Sequence, residues 1–88
     1  MALIQLEFFG VARSRAKVAT VTLDVDDLSG IVERLVEQFP SLAEICVENG
    51  QLAAGWLLNI NGVMFTRDLT NALNDGDNVL LIPADAGG

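Results

Sequence analysis

The sequence predicts an α+β fold, a mixed sheet packed on one main helix, and three observations carry that prediction. Two alternating apolar runs precede a single amphipathic helical stripe, an Asn-Gly turn signal follows it, and the last run, Val79-Leu80-Leu81-Ile82, is apolar at every position. A strand with no polar face is a central strand, commonly with a parallel neighbour. At 88 residues the chain fits one domain, expected over residues 1–82, with a flexible tail over 83–88.

The elements follow in order. Leu3 to Phe9 reads as a strand with Ile4, Leu6 and Phe8 on one face and Phe9 opposite them. Gly10 ends it, and Val11 to Lys17 reads as a basic connection. Thr20 to Val25 alternates with Val21, Leu23 and Val25 inward. Asp26 and Asp27 are helix caps, and Leu28, Ile31, Val32, Leu35, Val36 and Phe39 then fall on one helical stripe. Gly30 within the stripe lowers helix propensity, and Pro40 stops the helix. Leu42, Ile45, Cys46 and Val47 suit a short second helix. Trp56 to Ile60 returns to strand, Asn61-Gly62 suits a tight hairpin turn because both residues accept positive φ, and Val63 to Phe65 is the returning strand. Thr66 to Leu73 is expected to hold a capped helical turn, and Asn74 to Asp77 a tight turn before the last strand. First and last strands paired in parallel, with the helix across the sheet, make the β-grasp arrangement.

Composition removes whole classes of chemistry. The chain has no histidine, so the commonest general base and transition-metal ligand is missing. One cysteine can neither form an internal disulfide nor hold a zinc or iron–sulfur centre alone, and no metal site is expected. Cys46 has no basic neighbour in sequence to activate it, so it reads as inert. Asp75 and Asp77 flank Gly76 in a turn that offers too few oxygens for calcium. Trp56 reads as a core or rim anchor. Twelve acidic side chains against five basic ones, a net charge of −7, argue against nucleic acid and for a partner with a basic face. No apolar run approaches the ~18 residues of a membrane-spanning helix, and the N-terminus lacks a signal-peptide layout, so a soluble cytoplasmic protein is expected. A small chain that is 51% apolar is expected to expose part of that surface as a binding face.

After Ile82 the sequence runs Pro83-Ala84-Asp85-Ala86-Gly87-Gly88. Proline cannot donate to a sheet ladder, so the strand is expected to leave the sheet there. The chain resembles the ubiquitin-like sulfur carriers of the MoaD/ThiS type, most nearly the small subunit of molybdopterin synthase. The resemblance rests on Leu6-Glu7-Phe8-Phe9-Gly10-Val11-Ala12-Arg13, on Leu57-Leu58-Asn59-Ile60-Asn61-Gly62, on Leu73 through Pro83, and on the closing Gly87-Gly88.

The resemblance implies that the chain is not an enzyme on its own. It implies that Gly88 is adenylated by a ubiquitin-activating-type enzyme using ATP and converted to a thiocarboxylate. That thiocarboxylate then gives sulfur to a pterin precursor of the molybdenum cofactor inside a larger subunit, in a heterotetramer. Gly87 and Ala86 are the residues expected to thread into partner sites. Absence of a Cβ at Gly88 leaves the carbonyl carbon open to sulfur and nucleotide. The family's second phenylalanine lies toward the large subunit, which makes Phe9 the first interface candidate; Phe65, Leu57 and Leu81 come next, with plain core as their alternative, and Arg13 is a further candidate. A carrier for thiamine or cysteine synthesis, and a ubiquitin-like modifier conjugated to lysines, share the same activation. A plain β-grasp interaction module is a further alternative.

Overall fold

The computed structural model describes residues 1–84. Its first strand, β1 (Ala2–Phe8), buries Ala2, Ile4, Leu6 and Phe8 and turns Leu3 and Gln5 outward, the period of two read from the sequence. Gly10, at φ +53°, ends it. The following stretch is not a loop. Val11 to Ala16, expected as part of a basic connection, belongs to helix α1 (Gly10–Ala16), with Ala12 and Ala16 as its buried residues. Lys17 closes the helix in the left-handed region, its N–H donating to the Arg13 carbonyl at 2.8 Å. Two alanines one turn apart are too small an apolar face to stand out by periodicity.

Strand β2 (Thr20–Val25) pairs antiparallel with β1 and buries Leu23 and Val25. Asp27 then caps helix α2 (Leu28–Gln38), its Oδ1 accepting the Gly30 N–H at 3.2 Å and the Ser29 hydroxyl. Leu28, Ile31, Val32 and Leu35 face the sheet and are buried. Val36, expected in the same stripe, is 52% exposed. At ~100° per residue it stands about 80° round the helix from Leu28, beyond the edge of the contact. Gly30 permits the helix to lie close on β2, because a Cβ there would meet Val25 Cβ at 2.8 Å.

Pro40 opens helix α3 (Pro40–Cys46), at a position where its missing N–H costs no helical bond. Strands β3 (Val47–Glu48) and β4 (Gln51–Leu52) form a separate small hairpin that periodicity did not indicate. Strand β5 (Trp56–Ile60) turns through Asn61 and Gly62, at φ +57° and +72°, into β6 (Met64–Thr66), which starts one residue later than expected. The helical turn expected over Thr66 to Leu73 does not form. Asp68 accepts both the N–H and the hydroxyl of Thr70, while the carbonyls of Asn71 and Leu69 accept the N–H groups of Leu28 and Ser29 at 3.1 and 3.0 Å. The segment thus pairs first-turn donors of α2 that have no partner within the helix.

Strand β7 (Asn78–Pro83) lies at the centre of a five-stranded sheet ordered β2-β1-β7-β5-β6, parallel to β1 and antiparallel to β5. With α2 across one face, this is the β-grasp arrangement. Val79 and Leu81 are fully buried on the helix side. Leu81, proposed from sequence as an interface residue, is therefore core, because it falls in the same alternation as Leu58 and Phe8. Leu80 and Ile82 are half-buried on the opposite face, where Leu3 and Phe65 are exposed. The unbroken apolar run of β7 marks an open apolar face here, not a second covering layer. Pro83 remains in register opposite Trp56 instead of leaving the sheet, as the last residue of β7. A terminal strand position accommodates proline because no further ladder bond is required of it.

Candidate functional site

The open face of the sheet is assembled by register. Leu80 on β7 lies between Glu7 on β1 and Asn59 on β5, and Asn59 lies beside Phe65 on β6. One step along, Ile82 pairs with Leu57. Phe9 follows Phe8, which pairs with Leu81, and its extended backbone (φ −133°, ψ 157°) continues the alternation, so its side chain leaves on the side of Glu7. Phe9 is 45% exposed and Phe65 59%, while Leu57, Leu80 and Ile82 are half-buried. Three sequence candidates, Phe9, Leu57 and Phe65, are thus on one face, joined by Leu80 and Ile82 of the central strand.

The patch is underpinned by polar groups that are themselves satisfied. Asn59 is buried beneath it, and its Oδ1 accepts the Gly62 N–H at 2.7 Å, tying the hairpin turn to β5. Asn61 exchanges backbone and side-chain bonds with Asn78 and Asp77 at 2.7–2.9 Å, and the Asn78 amide donates to Glu7 Oε1 at 2.9 Å. Asp75 Oδ1 accepts the Leu3 N–H at 2.8 Å, and Asp77 Oδ2 the Asn74 N–H at 2.8 Å. These carboxylates are turn fasteners. Among the described residues no three His, Cys, Asp or Glu side chains gather to hold a metal ion.

Arg13 stands on α1, one turn beyond Phe9, and with Lys17, Gly10 and Ala19 lines a surface depression. Among the described residues neither joins an ion pair, whereas Arg15 meets Glu44 and Arg34 meets Glu37. In a chain of net charge −7, the edge next to Phe9 is therefore locally cationic. Arg67, at the opposite edge beside Leu57 and Phe65, was not singled out by sequence. Its guanidinium donates to three backbone carbonyls, those of Leu52 at 3.1 Å, Ala53 at 3.4 Å, and Trp56. A lone arginine in a polar segment carries no spacing signal for such a role.

Cys46 is fully buried, and loss of solvation pushes its thiol up to about 11. It is a core residue, protonated near neutral pH and closed to reagents. Trp56 is buried, which makes it a core anchor and not a rim one. The Asp27 carboxyl is held below its ordinary range by the Ser29 hydroxyl and then the Gly30 N–H, and the Asp68 carboxyl by Thr70. Both shifts arise from local capping.

β7 ends beside this face. Pro83 is still opposite Trp56, and the Ala84 N–H donates to the Gly55 carbonyl at 2.6 Å. Ala86, Gly87 and Gly88, proposed from sequence as the threading and reacting residues, lie outside the described residues. No helix among the described residues is long and apolar enough to cross a membrane.

No family model matches the chain, and no curated protein matches it in sequence. Solved structures do. The small archaeal modifier protein SAMP1 of Haloferax volcanii is 25% identical with a TM-score of 0.80, the alignment covering 99% of this chain and 100% of that one. Urm1 of Sulfolobus solfataricus is 28% identical, with a TM-score of 0.67 over 90% of this chain and 97% of that one. A putative molybdopterin converting factor subunit 1 of Pyrococcus furiosus, 18% identical, shares the fold with a TM-score of 0.72 over 94% and 98%. The resemblance to the ubiquitin-like sulfur carriers read from sequence motifs thus extends to the whole fold, and that fold does not by itself select an acceptor.

Proposed function

We propose that the chain is a ubiquitin-like sulfur carrier that works through its C-terminal Gly88 and is loaded and unloaded by larger enzymes. The observation that carries this reading is the course of β7. The central strand emerges at Pro83–Ala84 at the rim of the open apolar face. A partner docked on Phe9, Leu57, Phe65 and Ile82 would sit where it can receive the residues beyond Ala84.

The chemistry asks little of this chain beyond a glycine carboxylate. Its oxygen attacks the α-phosphorus of ATP and pyrophosphate leaves, giving an acyl adenylate. Hydrosulfide then attacks the carbonyl carbon, and AMP leaves with the oxygen it gained; where the donor is a persulfide, the acyl disulfide that forms is cleaved by a thiol, which leaves as a disulfide with the donor. AMP is a good leaving group where carboxylate oxygen is not. The activating enzyme supplies ATP and the groups that bind it. The absence of histidine and the burial of Cys46 agree with a carrier that brings no nucleophile of its own.

For the acceptor we favour a pterin precursor in molybdopterin synthesis, with this chain as the sulfur-donating small subunit. The support is the motif series ending in Leu73 through Pro83 and Gly87-Gly88, together with a fold shared with the putative converting factor of Pyrococcus furiosus. The likeness to the archaeal modifier protein favours a second reading, attachment of Gly88 to lysine side chains.

One experiment addresses both. The chain ending at Gly88 is incubated with ATP, an adenylating enzyme of the ubiquitin-activating type and a sulfur source, either hydrosulfide or a persulfide donor with a thiol reductant, and its intact mass is followed. A gain of about 16 Da, sulfur for oxygen, mapped to Gly88 is expected, lost on deleting Gly88 and kept in Cys46→Ser. Sulfur found on Cys46, or accepted by the deletion, overturns the carrier reading. The loaded chain is then offered pterin precursor with a synthase large subunit, or lysine-bearing protein. Return of the mass to its starting value with the first, against an isopeptide adduct with the second, separates the acceptors.

A further inference from the structure

The carrier reading needs Gly88 delivered from a fixed origin, and the structure contains a device at that origin. The loop between β4 and β5 turns at Gly55, which holds φ +89°. Around that turn the carbonyls of Leu52, Ala53 and Trp56 converge on one guanidinium, that of Arg67. Converging carbonyl dipoles repel one another unless a cation sits among them, and a planar guanidinium with several N–H groups can meet three at once. The Gly55 carbonyl, within this loop, accepts the Ala84 N–H at 2.6 Å. That bond is the last tie on the chain among the described residues. Gly88 lies four positions beyond Ala84 in the sequence.

We propose that Arg67 is a positioning residue for transfer at Gly88: it locks the 52–56 loop so that Gly55 holds Ala84 at the rim of the docking face. It acts through Gly55, and the inference rests on the carrier reading. A loosened anchor leaves the apolar docking face intact and lowers the fraction of bound chains whose terminus is correctly placed. Misplacement of a reacting group by about 1 Å can cost on the order of 10²-fold in rate, so partial loosening should cost roughly 10-fold. The cost belongs in kcat, because binding energy from the sheet face is untouched.

The test compares the unsubstituted chain with Arg67→Ala and Arg67→Lys. The lysine variant keeps the charge and a long stem but loses the fork. Amide hydrogen exchange is read at Ala84 and, as internal standards, at Val79 and Leu81. Pyrophosphate release by the adenylating enzyme gives kcat and KM for the chain. Arg67→Ala is expected to speed exchange at Ala84 by about 10-fold or more, with Val79 and Leu81 unchanged. Its kcat should fall roughly 10-fold, with KM within about twofold. Arg67→Lys should fall between the two chains in both measurements, and it decides the matter if Arg67→Ala does not fold. Unchanged exchange at Ala84 overturns the clamp. Unchanged kcat, or a rise in KM alone, overturns the positioning role, the latter by making Arg67 a docking residue. If the unsubstituted chain is never activated, the carrier reading falls and with it the role in transfer, while exchange at Ala84 still decides whether the clamp exists.

Discussion

The two faces of the five-stranded sheet are built from the same strands by alternate residues, yet they differ in what their apolar side chains achieve. Toward the helices, Leu6, Leu58, Val79 and Leu81 are fully buried and surrounded. Toward solvent, Leu57, Leu80 and Ile82 reach only partial burial, and Phe9 and Phe65 remain exposed. The helix side closes the fold within one chain. The other side has comparable apolar chemistry and no covering element among the described residues, so its remaining gain is available to a second molecule.

Adjacent residues of β7 should therefore respond in opposite ways. Leu81→Ala removes methyl groups from a packed core and should cost about 2–5 kcal/mol in denaturant unfolding. Ile82→Ala, one residue on, should cost about 1 kcal/mol or less. Equal losses would mean that the two faces are not energetically distinct. Phe9→Glu should leave the unfolding midpoint nearly unchanged and weaken capture by an adenylating enzyme at least about tenfold, since desolvated aromatic anchors dominate such contacts. Unaltered affinity would remove Phe9 from the interface.

The smallest expected effect is a pH dependence on the helix side. Hydrogen bonds from Ser29 and Gly30 favour the ionised Asp27, so its folded pKa lies below its unfolded one. The associated stabilisation is complete above the unfolded value and disappears as pH falls through the folded one. Thermal midpoints should thus drop less steeply between about pH 5 and pH 2 in Asp27→Asn than in the unsubstituted chain. Parallel curves would deny Asp27 that role.

The difference between the faces also explains what sequence could convey. Alternation in β1 and β2, the stripe of α2, the Asp27 cap and the Asn61-Gly62 turn are local patterns that one chain segment carries entire, and each appears in the structure. The run Val79 to Ile82 identified the central strand, but hydrophobicity cannot state whether a face is covered by this chain or by another. Interface and core therefore stay open for Leu81 in the sequence, and nothing there distinguishes its neighbours Leu80 and Ile82 from it. Helix α1 rests on two alanines, and the segment 66–73 is shaped by hydrogen bonds to α2 from which it is remote in sequence. Arg67 was illegible for the same reason: its partners lie 11 to 15 residues earlier, and all are backbone carbonyls. Gly87-Gly88 was the reverse case, read from sequence alone and lying outside the described residues.

Backbone amide shifts of the labelled chain, followed during titration with an adenylating enzyme of the ubiquitin-activating type, distinguish the two faces in a single experiment. Perturbation should concentrate at Phe9, Leu57, Phe65, Leu80 and Ile82 and continue through Ala84, with Glu33, Val36 and Glu37 on the outer side of α2 silent. Perturbation centred on α2, with the sheet face silent, would contradict the assignment of the open sheet as the working surface.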